Sequence, residues 1–100
     1  MPTYISLVNY SEDGFETLVD LDSDEFLEES KATAREHGGE LKDYYLTMGE
    51  YDAVVVTEFP DADAASQTLL SILGTGIGET QTMRAFTEDE TRDVLGKLGE

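Results

Sequence analysis

The residues best suited to chemistry in this chain are two phenols, one carboxylate and one guanidinium, namely Tyr45, Tyr51, Asp52 and Arg84. Arg84 stands in a run typical of a strand, where a buried guanidinium without a partner would be costly. We therefore expect an acidic partner for it, such as Asp52 or Glu58. The same guanidinium could instead clamp the carboxylate of a bound molecule. The four residues are candidate ligand-binding residues, and no catalytic residue is assigned.

The segment Gly49-Glu50-Tyr51-Asp52 separates two strand-like runs. Glycine at the first central position of a two-residue loop is typical of a type II′ hairpin turn, so Gly49-Glu50 is predicted to be that turn. The turn does not explain the next two residues, because Asp is a poor strand former. We expect Asp52 either to hold backbone or Arg84, or to face a pocket.

Other constellations that could hold a metal or cofactor are weak. The chain has no cysteine and one histidine, His37, which is expected in the last turn of a helix, where the helix dipole favours a partly protonated imidazole. Residues 20–24 resemble the first half of a calcium loop but lack its later Gly and Glu, so they are expected to be solvated acids with a helix cap. Residues 74–78 are rich in glycine but follow a helix, which is the wrong order for a dinucleotide loop. We predict no metal and no cofactor.

Acidic residues dominate the composition, with 23 Asp and Glu against 6 Lys and Arg and a net charge of −17. This balance disfavours nucleic acid and anionic membrane surfaces as partners. A disordered chain is not expected, because 39% of the residues are hydrophobic and they are patterned. The charge is typical of a halophilic protein, since molar salt reduces the Debye length to about 3 Å. With no run near the ~20 apolar residues of a membrane span and no basic leader, a cytoplasmic protein is expected.

Hydrophobic periodicity predicts the order β-α-β-β-α-β followed by a short C-terminal helix. The predicted strands are 3–10, 41–48, 51–59 and 79–86, and the predicted helices are 23–37, 62–73 and a short helix opened by a capping box at 87–90. Residues 11–21 are expected to be a long connection with one helical turn, and Ser23 is expected to cap the first helix. This order is the ferredoxin-like α+β arrangement with an antiparallel four-stranded sheet. We expect one domain over residues 1–100.

Both faces of the predicted sheet carry large apolar side chains. In the first strand Ile5 and Leu7 alternate with Tyr4, Val8 and Tyr10. Two helices can cover only one face, and a large apolar patch is rarely left exposed. We therefore predict a homodimer that packs through the open sheet face. The alternative is a monomer whose C-terminal helix folds back over that face.

Four segments of the chain resemble the GYD domain family: residues 4–10, 38–56, 60–65 and 80–90. The resemblance covers nearly the whole chain, and its most specific parts are Gly49–Asp52 and Thr80–Phe86. It implies a small domain of the dimeric α+β barrel type and implies no activity. The chain departs from the family around Asp20–Glu25, where acids stand at positions that are often basic. A role of those basic residues in holding an anionic ligand would therefore not carry over.

The hypothesis that follows is a homodimeric module that binds a small ligand or regulates a partner. A cofactor-free enzyme, similar to small monooxygenases or isomerases of the same barrel type, is an alternative that rests on fold analogy alone. A purely structural dimer is the third reading. A dry pocket with a perturbed Asp or Tyr would favour the enzyme, and the absence of space for a ligand would favour the structural dimer.

Overall fold

The computed structural model describes residues 1–99, apart from the side chain of Ser23. Its elements, in chain order, are β1 (Thr3–Tyr10), α1 (Glu12–Asp20), α2 (Ser23–Glu36), β2 (Glu40–Leu46), β3 (Ala53–Glu58), α3 (Ala62–Leu73), β4 (Gly78–Ala85) and α4 (Glu88–Leu98). The strands form one sheet in the order β2-β3-β1-β4, and each neighbouring pair is antiparallel. The prediction of a ferredoxin-like α+β fold is confirmed.

The connection after β1 is a full helix of nine residues rather than a loop with one helical turn. Ser11 caps it, because its hydroxyl accepts a 3.0 Å hydrogen bond from the N–H of Gly14. Two acids in the first turn suit the positive end of the helix dipole. Gly14 also lets the helix start against the link that precedes β4, since a Cβ there would overlap the carbonyl oxygen of Ile77.

Helix α2 begins at Ser23, but its N-cap is Asp22 and not Ser23 as predicted. The Asp22 carboxylate accepts a 2.8 Å hydrogen bond from the N–H of Glu25, so this part of the acidic run caps a helix, as expected. His37 is the C-cap residue at the other end. Its Nε2 lies 3.4 Å from the hydroxyl oxygen of Ser71 on α3.

The last two helices have the predicted starts. Helix α3 lies between Asp61, which caps it, and Gly74. Helix α4 opens with the predicted capping box, in which the side chains of Thr87 and Glu90 each accept a hydrogen bond from the other's backbone N–H. It continues through Gly96 and ends at Leu98.

The helices cover the sheet face that carries Tyr4, Val8 and Tyr10, which we call the helix face. Its core consists of Tyr4, Ala34, Phe59 and Ala65, contributed by β1, α2, the end of β3 and α3. Leu41 packs against this core, although strict alternation would place it opposite to Tyr44. A register shift between Leu41 and Asp43 explains the difference, because an extra residue in the strand puts both on the helix face.

The opposite face of the sheet, which we call the open face, is apolar at its centre. Its register places two adjacent rows of side chains together, from Met83 through Ile5 to Val56 and from Leu7 through Val54 to Tyr45. Acidic residues such as Glu58 and Glu79 stand toward its ends. No residue of α4 is buried among the described residues, so in this structure the C-terminal helix does not fold back over the open face.

Candidate functional site

The loop between β2 and β3 is longer than predicted. The N–H of Thr47 donates a 2.9 Å hydrogen bond to the carbonyl of Asp52, and the Thr47 hydroxyl donates one of 2.6 Å to the carbonyl of Tyr51. These bonds enclose residues 48–51, so the prediction of a two-residue type II′ turn is wrong. Gly49 has a φ of +125°, a conformation that side chains with a Cβ rarely adopt. The glycine is required by the loop, although the turn type differs.

Asp52 holds the backbone of β1. Its N–H donates a 2.8 Å hydrogen bond to the carbonyl of Val8, and its Oδ2 accepts one of 2.9 Å from the N–H of Tyr10. The carboxylate therefore continues the β1–β3 ladder beyond the last paired residues. Asp52 was expected to hold backbone or Arg84, or to face a pocket. In the structure its carboxylate holds the backbone of β1 and does not pair with Arg84.

Beside Asp52 lies a pair of phenols that the sequence reasoning did not select. The hydroxyl oxygens of Tyr10 and Tyr44 are 2.6 Å apart, so one donates to the other. Each ring meets a phenylalanine edge to face: Tyr10 meets Phe15 of α1, and Tyr44 meets Phe26 of α2, both with centroids 5.6 Å apart. The signal in the sequence was the alternation that puts both tyrosines on one sheet face; their pairing depends on the strand order.

Both phenols are held in the neutral form. Burial raises the pKa of Tyr10 far above its ordinary value, and the hydrogen bond to Tyr44 and the charges around it raise that pKa further. Burial also raises the pKa of Tyr44; the hydrogen bond with Tyr10 acts against this rise, and the Asp52 carboxylate adds to it because it would repel a phenolate. A neutral phenol pair has one O–H left over to donate, together with free lone pairs. It can bind a polar group of a ligand, but it is a poor general base at neutral pH.

The side chains of Tyr45 and Tyr51 lie on or reach the open face, away from the phenol pair on the helix face. Tyr45 belongs to a row of that face, and it is 57% exposed. The Tyr51 hydroxyl donates a 3.1 Å hydrogen bond to Oε1 of Gln81 on β4. Gln81 pairs with Leu7, so the Tyr51 side chain reaches residues of the open face from the loop.

Arg84 pairs with Glu90 and not with Asp52 or Glu58. Its Nη2 lies 2.9 Å from Oε2 of Glu90, and its guanidinium carbon lies 4.6 Å from the ring centroid of Phe86. Arg84 also donates to the carbonyl oxygens of Thr3 and Ala85. The expectation of an acidic partner was correct, but the partner comes from the capping box of α4.

The four predicted site residues are therefore not brought together. Asp52 and Arg84 lie at opposite ends of β1. Arg84 pairs with Tyr4 near the start of that strand, whereas the N–H of Asp52 donates a hydrogen bond to Val8 near its end. Four residues of strand separate these positions by roughly 13 Å. The residues that do meet are Asp52, Tyr10 and Tyr44.

Two shallow clefts border the phenol pair and α1. One has a volume of about 250 Å³ and is lined by Asn9, Tyr10, Ser11, Gly76, Gly78 and Glu79. The other has a volume of about 310 Å³ and is lined by Phe15, Glu16, Val19 and Asp20. Tyr10 thus contacts both its phenol partner and a cleft. Within residues 1–99 no group of three or more potential ligands could hold a metal ion, and no helix has the length and apolarity to cross a membrane.

The chain is similar to a known family and to proteins of other organisms. The model of the GYD domain family matches residues 4–95. A protein of Thermus thermophilus described as a glutamine synthetase and cystathionine beta-lyase binding protein is 33% identical over 98 residues, which are 98% of this chain and 99% of the relative.

Solved structures share the fold at lower identity. One from Thermus thermophilus has a TM-score of 0.57 and 19% identity, covering 87% of this chain and 95% of the other. A transcriptional regulator of Neisseria meningitidis in complex with L-Met has a TM-score of 0.58 and 19% identity, covering 87% of this chain and 51% of the other. At these identities the comparisons show a common fold.

Proposed function

Because this chain belongs to the GYD domain family, we propose that it is a homodimeric regulatory module that acts by binding. The observation that carries the proposal is the open face, whose apolar rows stand opposite to the helix-covered face. A second copy would bury both open faces at once. The relative from Thermus thermophilus, whose description is that of a binding protein, supports binding over catalysis.

Tyr45 and Tyr51 are assigned in this proposal to the dimer interface. Both lie at or reach the open face, and tyrosine suits interfaces because it combines a large apolar ring with a polar tip. Arg84 is assigned to holding α4 through Glu90. Asp52 stays a candidate for ligand binding, together with the adjacent phenols of Tyr10 and Tyr44.

The proposed small-ligand site is the cleft beside Tyr10. A neutral phenol can donate to a carbonyl or hydroxyl of the ligand, whereas the nearby Asp52 and Glu79 disfavour an anion. The cleft is open, so we expect weak binding that depends on few contacts. The single domain over residues 1–100 and a cytoplasmic, high-salt setting are part of the same proposal.

A cofactor-free enzyme is less well supported. The perturbed phenols are the feature that would favour it, but their pKa values move upward, away from neutral pH. A group whose pKa lies far above the operating pH keeps its proton, so it can donate a hydrogen bond but exchanges protons poorly. The same residues therefore favour binding.

A thermal-shift screen against soluble metabolites in molar KCl tests the ligand site. We expect hits that share one scaffold, and we expect Tyr44→Phe to lose them because the phenol pair is broken. Ser66→Ala is the control, since it removes an exposed hydroxyl of α3 that lines neither cleft. Hits that persist in Tyr44→Phe, or no hits in the wild type, would contradict the ligand site.

The dimer is tested by one added charge. Leu7→Glu would place two carboxylates near the centre of the interface and should give a monomer in molar KCl. Leu70→Glu adds the same charge at an exposed position of α3 and should leave the association unchanged. Equal association of the two variants would argue against the open face as the interface.

A further inference from the structure

The cleft beside Tyr10 lies at the end of the sheet and has residues of both faces in its wall. Tyr10 and Gly78 form the last cross-strand pair of β1 and β4, and Asn9 and Glu79 form the pair before it. Because side chains alternate between the faces along a strand, Tyr10 belongs to the helix face, whereas Asn9 and Glu79 belong to the open face. All four residues line the cleft. One side of the cleft is therefore part of the open face.

The Asn9–Glu79 pair adjoins the apolar centre of the open face. The next pair on the same face is Leu7 with Gln81, two residues further along each strand, which is a spacing of about 7 Å. The hydroxyl of Tyr51 bonds the side chain of Gln81, so polar groups begin where the apolar rows end. An apolar centre with a polar border is the usual anatomy of a protein interface. The Asn9–Glu79 pair has the position of such a border.

The cleft on α1 has no such connection. Its lining residues, Phe15, Glu16, Val19 and Asp20, all belong to that helix, which packs on the helix face through the contact between Phe15 and Tyr10. A second copy on the open face would therefore leave the α1 cleft unchanged. The two clefts provide an internal comparison, since a dimer through the open face is expected to affect only one of them.

The Tyr10 cleft is shallow in the single chain. Its volume of about 250 Å³ is below the roughly 300–1,000 Å³ of ordinary ligand sites, which bury most of the surface of the bound molecule. Glu79, in its wall, is exposed. A copy packed on the open face would stand beside Asn9 and Glu79, on the side away from the helices. It would supply the wall that the single chain lacks.

We propose that the second copy completes the ligand site by packing beside Asn9 and Glu79 and closing the cleft on the open-face side. The inference rests on the homodimer and the ligand cleft of the proposed function. A ligand that contacts both copies binds the dimer more tightly than the single chain, and by linkage it strengthens the dimer by the same factor. Because each copy carries a net charge of −17, a neutral polar or cationic ligand suits a site between them.

Thiol labelling at three positions tests the closure, since the sequence has no cysteine of its own. The variants are Glu79→Cys in the Tyr10 cleft, Gln81→Cys in the open face and Glu16→Cys in the α1 cleft, and all three positions are exposed in the single chain. The rate of reaction with a bulky, uncharged maleimide is measured in molar KCl over a range of protein concentrations. Sedimentation equilibrium gives the monomer fraction at each concentration.

We expect Glu79→Cys and Gln81→Cys to react about threefold or more slowly when the chain is mostly dimeric, because a covered thiol reacts through the monomer. Glu16→Cys, which removes the same charge as Glu79→Cys, should react at one rate throughout. If Gln81→Cys is protected and Glu79→Cys is not, the dimer is supported and only this inference is overturned. If the mass is that of one chain at every concentration, or if neither thiol is protected in a dimer, the homodimer through the open face fails as well.

Asn9→Cys repeats the measurement on the other strand. Asn9 is the cross-strand partner of Glu79 and lines the same cleft, so its thiol should show the same dependence on the monomer fraction. Far-UV circular dichroism of each variant checks that the fold is retained. A thiol at position 9 that reacts equally fast in monomer and dimer would overturn the closure of the cleft by the second copy.

Discussion

The N–H of Tyr10 donates a 2.9 Å hydrogen bond to Oδ2 of Asp52, which ties the end of β1 to the loop that precedes β3. The side chain of Tyr10 then bonds Tyr44 of β2. Through these two residues the family's Gly-Glu-Tyr-Asp segment connects three strands at one end of the sheet. Asp52 therefore has a structural role in the single chain. It lies beside the Tyr10–Tyr44 pair, whose hydrogen bond joins β1 to β2.

Asp52→Ala should lower the free energy of unfolding by about 1–3 kcal/mol, because the Tyr10 N–H loses a charged acceptor. Asp52→Asn keeps an oxygen at the same place and should lose less. Urea denaturation in molar KCl measures both. Equal stability of Asp52→Ala and the wild type would contradict the backbone role.

The sequence was sufficient for the order of the four strands and of helices α2, α3 and α4, and for the two faces of β1 and β3. It reduced α1 to one helical turn and placed Leu41 on the wrong face of β2, because the register shift beside Leu41 interrupts the alternation.

The sequence was insufficient for the loop at Gly49. The pairs Tyr45–Val54 and Leu46–Ala53 are those that a two-residue turn would also give, but the hydrogen bonds end at Thr47 and Asp52, so four residues form the loop instead of two. The pattern of residue types does not report where the ladder ends. The Tyr10–Tyr44 pair was missed for a related reason, since the two residues meet only through the strand order.

The phenol pair should make the protein sensitive to alkali. Because the pKa of Tyr10 is raised in the folded state, its contribution to stability is complete below the ordinary value of 10.0 and is lost as the pH rises above it. Absorbance at 295 nm and far-UV circular dichroism should therefore show a late phenolate signal that coincides with unfolding. Tyr10→Phe should lack that signal. Complete ionisation of all five tyrosines with the fold intact would contradict this.

The Arg84–Glu90 pair should respond to acid. The hydrogen bond from Arg84, followed by those from Thr87, lowers the pKa of Glu90 from 4.5 to about 2. Its contribution to stability is therefore complete above pH 4.5 and is lost as the pH falls toward about 2. Wild type and Glu90→Gln should differ in thermal midpoint at pH 6 and converge near pH 2. A difference that is the same at both pH values would contradict the ion pair as the cause.

Salt should stabilise the fold. With a net charge of −17, repulsion among surface carboxylates opposes the compact state, and raising the salt from 0.1 M to 1 M shortens the Debye length from about 10 Å to about 3 Å. The thermal midpoint should therefore rise from low to molar KCl. Sucrose at equal osmolality is the control for general solute effects and should raise it less. A midpoint that stays constant in KCl would contradict the halophilic reading.

The mass of the wild-type chain in molar KCl, measured by sedimentation equilibrium at micromolar concentration, tests the central claim most directly. The proposed dimer predicts twice the chain mass of 11.0 kDa, because the apolar open faces are buried against each other. A mass of one chain across the whole concentration range would contradict the dimer and, with it, the assignment of the open face as an interface.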